Sequence, residues 1–424
     1  MKAVLADKIY LNTDAKLQDV IRRECTYKFI NEFNKIQPVE TERTYSKFKN
    51  DIFTIPIGRK DLIPRGYEIV EKRIEKAVKF PPFKATLRKS QLDVYEAVNE
   101  SCLINAPPSW GKTFTALSIA RKLGQKTLVC VHTTDLRNQW VKEIRQQFGF
   151  EPAIIGSGRF STQGPIVVGN IQSLTKKKHD IAKLFGLIIM DEVHHVSATS
   201  FRDLIHSSYA RYKIGLSGTL RRKDEKHVMF KDFFGPIVHK PSRENYMTPR
   251  VVAVKPGILI PPGRVWAKRV NKLYDMPEYL NLTVALARKF SREGHKILAI
   301  GERVEFLHLC QKFYGDESIA VTGTTENREK LLRSVNEGDK QVLFGTRSLF
   351  SEGISLDSIG CLILAAPINN DPMLEQLIGR VIRVKEGKKQ PVIVDIILDG
   401  PTAQKQWYAR LGHYTRQDYE VEYI

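Results

Sequence analysis

Residues 102–113 read Cys102-Leu103-Ile104-Asn105-Ala106-Pro107-Pro108-Ser109-Trp110-Gly111-Lys112-Thr113, and a helical period begins near Phe114. An apolar run, a turn and a helix start put Gly111-Lys112-Thr113 where a phosphate-binding loop belongs. Such a loop needs backbone N–H groups converging at a helix N-terminus, a lysine for the outer phosphates and a hydroxyl for Mg2+. Lys112 and Thr113 fill the last two roles, and Pro108, Ser109, Trp110, Gly111 and Phe114 complete the candidate cradle. Ala106 stands where the first glycine of such loops usually lies, and Trp110 where small residues are common. A Gly-Lys-Thr triplet by itself is more often coincidence than site, so a second acidic element has to accompany it.

That element is Asp191-Glu192-Val193-His194-His195, directly after the apolar run Gly186-Leu187-Ile188-Ile189-Met190. Sheets with this alternation place ligands at strand ends. Asp191 there suits Mg2+, and Glu192 suits orienting an attacking water. An acidic pair at a strand end more often caps the next helix; the two elements together make that reading improbable.

Outward from this pair, short apolar runs alternate with helical periods from about Thr86 onward, the pattern of parallel sheets covered by helices. Strands are expected at Cys102–Asn105, Thr127–Val131, Ile166–Val168, Leu187–Met190 and Ile214–Leu216. A second series is expected at Ile297–Ile300, Ile319–Val321, Val342–Phe344, Cys361–Leu364 and Val392–Ile396. Helices are expected at Val304–Phe313, Arg328–Asn336 and Met373–Val381. The fold class is therefore α/β, two lobes behind a small α+β N-terminal domain with a helix over Leu17–Phe33 and a strand over Ile52–Ile57. Pro81-Pro82 marks a boundary. The domains are read as 1–80, an accessory and DNA-binding domain; 81–240, the first lobe; 241–275, a linker or hook; and 276–424, the second lobe.

The chain has 424 residues, 42% hydrophobic and 27% charged, enough for about three folding units and too apolar for disorder. Its 67 Lys and Arg against 47 Asp and Glu give a formal charge of +20, which favours a polyanion without naming one. Five scattered cysteines support neither a disulfide framework nor a zinc site. The start turns polar too early for a signal peptide and no apolar run spans a membrane, so the expected location is cytoplasmic.

Further motifs follow in a fixed order. Leu87-Arg88-Lys89-Ser90-Gln91 precedes the phosphate loop, and the Gln91 amide can both donate to and accept from an adenine edge. Ser217-Gly218-Thr219 follows the acidic box, and Thr346-Arg347-Ser348-Leu349-Phe350-Ser351-Glu352-Gly353 and Gln376-Leu377-Ile378-Gly379-Arg380-Val381-Ile382-Arg383 lie in the second lobe. In that order the motifs resemble those of superfamily 2 helicases over nearly all of the chain after Thr86, most closely the phage UvsW-type branch-migration helicases, and also XPB-like motors. The resemblance implies two RecA-like lobes, ATP and Mg2+ as cofactors, and a monomer. It implies a nucleotide site formed by Arg88, Gln91, the phosphate loop and Gly353, with Lys112, Asp191 and Glu192 catalytic and Thr113 and Asp191 on Mg2+. It further implies that Arg380 and Arg383 act as arginine fingers while Gln376 senses the γ-phosphate; a permanently charged fork suits that task. Relatives carry Asp two residues after Gly353, where this chain has Ser355, with Asp357 as a nearby substitute.

Strand contacts implied by the resemblance are Thr133, Arg137 and Gln139 after one strand, Gln172, Ser173 and Lys176 after another, and Arg303, Thr346 and Arg347 in the second lobe. Lys176-Lys177-Lys178 fits a solvated helix end as well as a contact. Trp266, in Pro261-Pro262-Gly263-Arg264-Val265-Trp266, could stack on a base in a hook, with a plain linker the preferred reading. Trp140 reads as core packing. The expected function is an ATP-dependent DNA helicase or translocase on forked and branched DNA, working beside single-stranded DNA-binding or replication proteins, in host cytoplasm if phage-encoded. The alternatives are an RNA helicase and a non-hydrolysing nucleic-acid-binding adaptor, the latter suggested by Ala106 and Trp110.

Overall fold

The structure is a computed structural model; it describes the chain except residues 31–38, 50, 85, 195–197, 219–224, 243, 245, 324, 327, 347–355 and 369–370. The chain divides into two compact units, Met1–Arg243 and Glu244–Ile424.

The first unit opens with β1 (Lys2–Leu5), β2 (Ile9–Asn12), α1 (Ala15–Glu24), β3 (Thr26–Ile30), β4 (Val39–Arg43), β5 (Ser46–Lys49), β6 (Ile52–Ile55) and β7 (Glu68–Glu71). Five strands pair in the order β5-β6-β2-β1-β7, and β3 with β4 form a separate ribbon. Alternate residues Ala3, Leu5, Ile9, Leu11, Phe53 and Ile55 cover one buried face against Ile21 of α1. The helix expected over Leu17–Phe33 ends at Glu24: Cys25 caps it, and Thr26-Tyr27-Lys28-Phe29-Ile30, rich in β-branched and aromatic residues, forms β3 instead.

The lobe that follows comprises α2 (Lys89–Ala97), β8 (Cys102–Asn105), α3 (Lys112–Leu123), β9 (Thr127–Val131), α4 (Thr134–Phe148), β10 (Ala153–Gly156), β11 (Arg159–Phe160), β12 (Ile166–Asn170), α5 (Ile171–Lys176), α6 (Lys178–Ile181), β13 (Leu187–Met190), α7 (Ala198–Ser207), β14 (Tyr212–Ser217), α8 (Phe230–Phe234) and β15 (Val238–His239). Its sheet runs β11-β10-β12-β9-β13-β14-β8-β15, parallel except for the β10–β11 hairpin. The central strands are continuous apolar runs because both faces are covered by helices.

The N-terminal strands are fastened to this lobe by a buried polar knot. Asp232 of α8 accepts hydrogen bonds from Tyr27 at 2.8 Å and Thr44 at 2.7 Å, and Arg59 lies 3.5 Å from the same carboxylate. Arg202 and Lys226 pair with Glu42 at 2.7 and 3.4 Å. Contact with the lobe already begins at Ile74, bridged to Ala210, and Phe80 and Phe83 flank Pro81-Pro82 and pack on Phe148.

The second unit contains β16 (Arg250–Val254), α9 (Trp266–Tyr274), α10 (Pro277–Arg292), β17 (Lys296–Gly301), α11 (Val304–Tyr314), β18 (Ser318–Val321), α12 (Arg328–Glu337), β19 (Val342–Thr346), β20 (Ile359–Leu364), α13 (Asp371–Val381), β21 (Val392–Ile396), α14 (Pro401–Arg416) and β22 (Glu420–Tyr423). Its sheet order is β18-β19-β17-β20-β21-β16-β22, all parallel. Within 241–275, expected as a linker or hook, Arg250–Val254 is an interior strand of this sheet and Trp266–Tyr274 a helix on its core. Under α14, Asp395 is held by Arg410 at 2.8 Å and Tyr414 at 2.7 Å. All five cysteines are free and buried, and burial pushes the thiols of Cys25, Cys102 and Cys310 up to about 12. Among the described residues no helix is long and apolar enough to cross a membrane.

Candidate nucleotide and strand-binding sites

The loop after β8 folds as its sequence requires. Trp110 N–H donates to the Pro107 carbonyl at 3.3 Å, Pro108 takes the second place and Ser109 the third with φ 67°, the pattern of a type II turn. Gly111 has φ 95°, and a Cβ there would come within 2.5 Å of Gln91 Nε2, so conformation and space both call for glycine. Ala106 is fully buried, donates its N–H to the Ser217 carbonyl at 3.0 Å and is not left-handed, so it needs no glycine.

Trp110 turns its ring into the lobe's core, where its Nε1 donates to Ser90 Oγ at 2.8 Å. Its carbonyl accepts from Gln91 Nε2 at 2.8 Å and from Arg88, while Gln91 Oε1 accepts from Arg88 N–H at 2.9 Å. Arg88 and Gln91 thus brace the loop from α2. Lys112, Thr113 and Phe114 start α3, with Lys112 Nζ donating to the Ala106 carbonyl at 3.3 Å.

At the end of β13, Asp191 is buried and holds both carboxylate oxygens in place. Oδ1 accepts from Glu192 N–H at 2.9 Å, and Oδ2 accepts from Trp140 Nε1 at 2.7 Å. Burial, then the neighbouring Glu192, pushes the Asp191 carboxyl above the ordinary range, against the pull of Trp140 and Lys112. Glu192, at φ 48°, places Oε1 3.6 Å from Lys112 Nζ and Oε2 3.3 Å from His194 Nδ1. His194 Nδ1 in turn lies 2.6 Å from Ser217 Oγ, at the end of β14. Lys112, Glu192, His194 and Ser217 therefore form one continuous chain across the ends of three strands. Its donor set, a lysine and loop N–H groups with a hydroxyl and a carboxylate at Thr113 and Asp191, fits a polyphosphate with Mg2+, which takes one or two carboxylates and fills its shell with phosphate oxygens and water.

In the second unit Gln376, buried, and Arg380, half-buried, lie on α13, and Arg383 follows its end. Arg383 Nη1 is 2.7 Å from Asp357 Oδ1. Lys388 Nζ donates to the carbonyls of Arg383 at 2.9 Å and Asp357 at 3.2 Å, and burial pushes its amine down to about 8. Asp357, the expected substitute for a ribose-binding acid, is thus paired with Arg383. Gly353 and Arg347 lie outside the described residues.

Of the expected strand contacts in the first lobe, Thr133 caps α4 by accepting from Leu136 N–H at 3.2 Å, and Gln172, exposed, donates to the His132 carbonyl at 3.5 Å. Gln139 and Ser173 are half-buried and Lys176 is exposed. Arg137 points inward instead: it is buried and its Nη1 donates to Asn170 Oδ1 at 2.9 Å and Ser157 Oγ at 3.0 Å. In the second unit Arg303 is exposed, donating to Asn271, and Thr346 ends β19 with its Oγ1 sealed and unpartnered among the described residues. Trp266 opens α9 rather than tipping a hook, and packs on the core with the Arg269 guanidinium 5.3 Å from its ring. Sequence reasoning missed the hydrogen bond from Trp140 to Asp191, since nothing in the spacing of two residues so far apart reports it.

Residues 68–222 match the family described as "Type III restriction enzyme, res subunit", and residues 278–385 match "Helicase conserved C-terminal domain". The chain is 40% identical over 434 residues to "Probable helicase D10" of Escherichia phage T5, covering 99% of this chain and 96% of that protein. It is 24% identical over 331 residues to "ATP-dependent DNA helicase uvsW" of Enterobacteria phage T4, covering 71% of this chain and 66% of that one. A fragment of an HsdR subunit of a type I restriction enzyme from Vibrio vulnificus YJ016 shares the fold, at TM-score 0.61 and 18% identity over 81% of this chain and 69% of that one. With its motifs in order and a relative of that identity matched almost end to end, the chain belongs to the superfamily 2 helicases and is a nucleic-acid-dependent ATPase.

Proposed function

We propose that this helicase acts on DNA, remodelling forked and branched substrates, with ATP turned over at the ends of β8, β13 and β14. The observation that carries the site is the chain Lys112–Glu192–His194–Ser217, which joins phosphate loop, acidic box and the motif after β14. Lys112 meets the outer phosphates; in doing so it releases Glu192, which orients the attacking water. Thr113 and Asp191 would hold Mg2+, which would supply neutralisation of phosphate charge. Gln376, Arg380 and Arg383 serve as sensor and fingers, and Asp357 gives up Arg383 when a γ-phosphate competes for it. Gln91 with Arg88 couples adenine binding to the loop through the Trp110 carbonyl. Thr133, Gln139, Gln172, Ser173, Lys176, Arg303 and Arg347 follow the strand backbone, and Thr346, its hydroxyl sealed, would contribute through its backbone at the end of β19. The DNA preference draws on the T4 relative, an ATP-dependent DNA helicase. An accessory DNA-binding role for the N-terminal domain draws on Lys8 and Arg43, which line a cavity of about 500 Å³ together with His179 of the lobe.

ATP turnover measured with single strand, duplex, fork, four-way junction and RNA tests the reading. Fork and junction are expected to stimulate most and RNA least, with all stimulation lost in Lys112→Ala. Equal stimulation by RNA overturns the DNA assignment, and nucleotide binding without turnover on any nucleic acid overturns the motor.

Trp140→Phe keeps an aromatic side chain, smaller than the buried indole, and removes the donor to Asp191. A carboxylate deprived of a charge-assisted hydrogen bond should lower DNA-stimulated turnover about tenfold. Steady-state kinetics beside a melting curve check this: an equal turnover at unchanged melting temperature would show the indole N–H to be idle.

A further inference from the structure

The β10–β11 hairpin stands beside the first lobe's candidate strand contacts. It turns through Ser157 at φ 52° and Gly158 at φ 77°, left-handed at both places as a type I′ turn requires. Ile155 faces Phe160 and Gly156 faces Arg159 across the pair. Arg137 Nη1 bonds both Ser157 Oγ at 3.0 Å and Asn170 Oδ1 at 2.9 Å, so the hairpin tip is clamped to α4 and to the end of β12. A Cβ at Gly156 would fall 2.7 Å from Asn170 Oδ1, which shows how closely that clamp fits. Arg137 thus acts as a positioning residue for the hairpin.

What this stiff hairpin presents is an aromatic ring. Phe160 is 50% exposed, on the outermost strand of the eight-stranded sheet. β11 is only two residues long, so its edge is already short, and the exposed ring gains meaning from the groups around it. Its surroundings are mainly cationic: Lys177 Nζ lies 5.7 Å from the ring centroid and pairs with Asp180 at 3.4 Å, while Arg159 and Lys176 are exposed with no ion-pair partner among the described residues. Lys176 and Lys177 directly continue the α5 segment that carries Gln172 and Ser173. An aromatic face beside a row of cations is the arrangement that holds single strands, stacking supplied by the ring and phosphate contact by the charges.

We propose that Phe160 stacks on a nucleobase of the bound strand while Arg159, Lys176 and Lys177 contact its flanking phosphates. The inference rests on the strand-binding reading of the first lobe and adds a residue to it. Phe160→Ala is expected to weaken binding of a fluorescent oligo(dT) about tenfold by anisotropy, with strand-free ATP turnover unchanged. Phe160→Trp restores the affinity, and its added indole fluorescence is quenched by oligo(dT). A fully abasic strand, which offers phosphates and no base, binds wild type and Phe160→Ala equally. Unchanged oligo(dT) affinity in Phe160→Ala, or an unquenched indole in Phe160→Trp, overturns the stacking role while leaving the motor intact. Failure of oligo(dT) to bind the wild type overturns the strand-binding reading itself.

Discussion

Glu192→Gln is expected to lower nucleic-acid-stimulated ATP turnover by about 10²–10⁴-fold, the range for losing a group that positions or deprotonates the attacking nucleophile. The substitution is nearly isosteric. Its amide still reaches Lys112 and His194, 3.6 and 3.3 Å away, but it carries no charge to polarise water. Nucleotide binding should therefore survive, because the loop, Lys112 and Asp191 remain. Fluorescent-nucleotide titration beside steady-state turnover separates the two quantities. Turnover within a few-fold of wild type would remove Glu192 from the chemistry, and parallel loss of binding and turnover would make it a structural residue.

Asp232→Ala should cost about 3–5 kcal/mol of stability, the loss typical of removing one partner from a buried ion pair. Asp232 is fully buried and accepts from Tyr27 and Thr44 while facing Arg59, itself almost entirely buried. Alanine strands two hydroxyls and leaves the Arg59 charge with two partly exposed carboxylates, Asp61 at 3.0 Å and Glu24 at 3.7 Å. Since domains are stable by only about 5–15 kcal/mol, the N-terminal strands should separate from the lobe first. Urea unfolding with limited trypsin digestion reads this out: early cleavage between β7 and α2 is expected, and Asp232→Asn, which keeps a carbonyl acceptor for one hydroxyl and offers an N–H for the other to accept, should lose less. An unchanged unfolding midpoint in Asp232→Ala would show that the knot contributes little.

The α/β character was legible because parallel strands buried on both faces are written as unbroken apolar runs. Thr127–Val131, Leu187–Met190 and Val392–Ile396 coincide with β9, β13 and β21 for that reason. β16 was not legible, since Arg250-Val251-Val252-Ala253-Val254 sits among prolines and glycines and only its partners β21 and β22 make it a strand. The end of α1 was hidden because the apolar spacing of Thr26–Ile30 continues the helical period. In the site, residues whose task is local could be read: Gly111 and Lys112 fall where loop geometry puts them. Residues whose task depends on distant partners could not. Arg137 looked like a surface cation until its neighbours Asn170 and Ser157 were in place, and Trp140 looked like filling until Asp191 met its N–H. Ala106 seemed a defect in the loop only while the left-handed positions were unknown; they fall on Ser109 and Gly111.

The burial of all five thiols has a practical outcome. Reactivity belongs to the thiolate, which buried cysteines with raised pKa values rarely form. A maleimide dye would therefore attach to a cysteine introduced on the surface and spare the native five. Such a dye could be placed on either unit without rebuilding its interior.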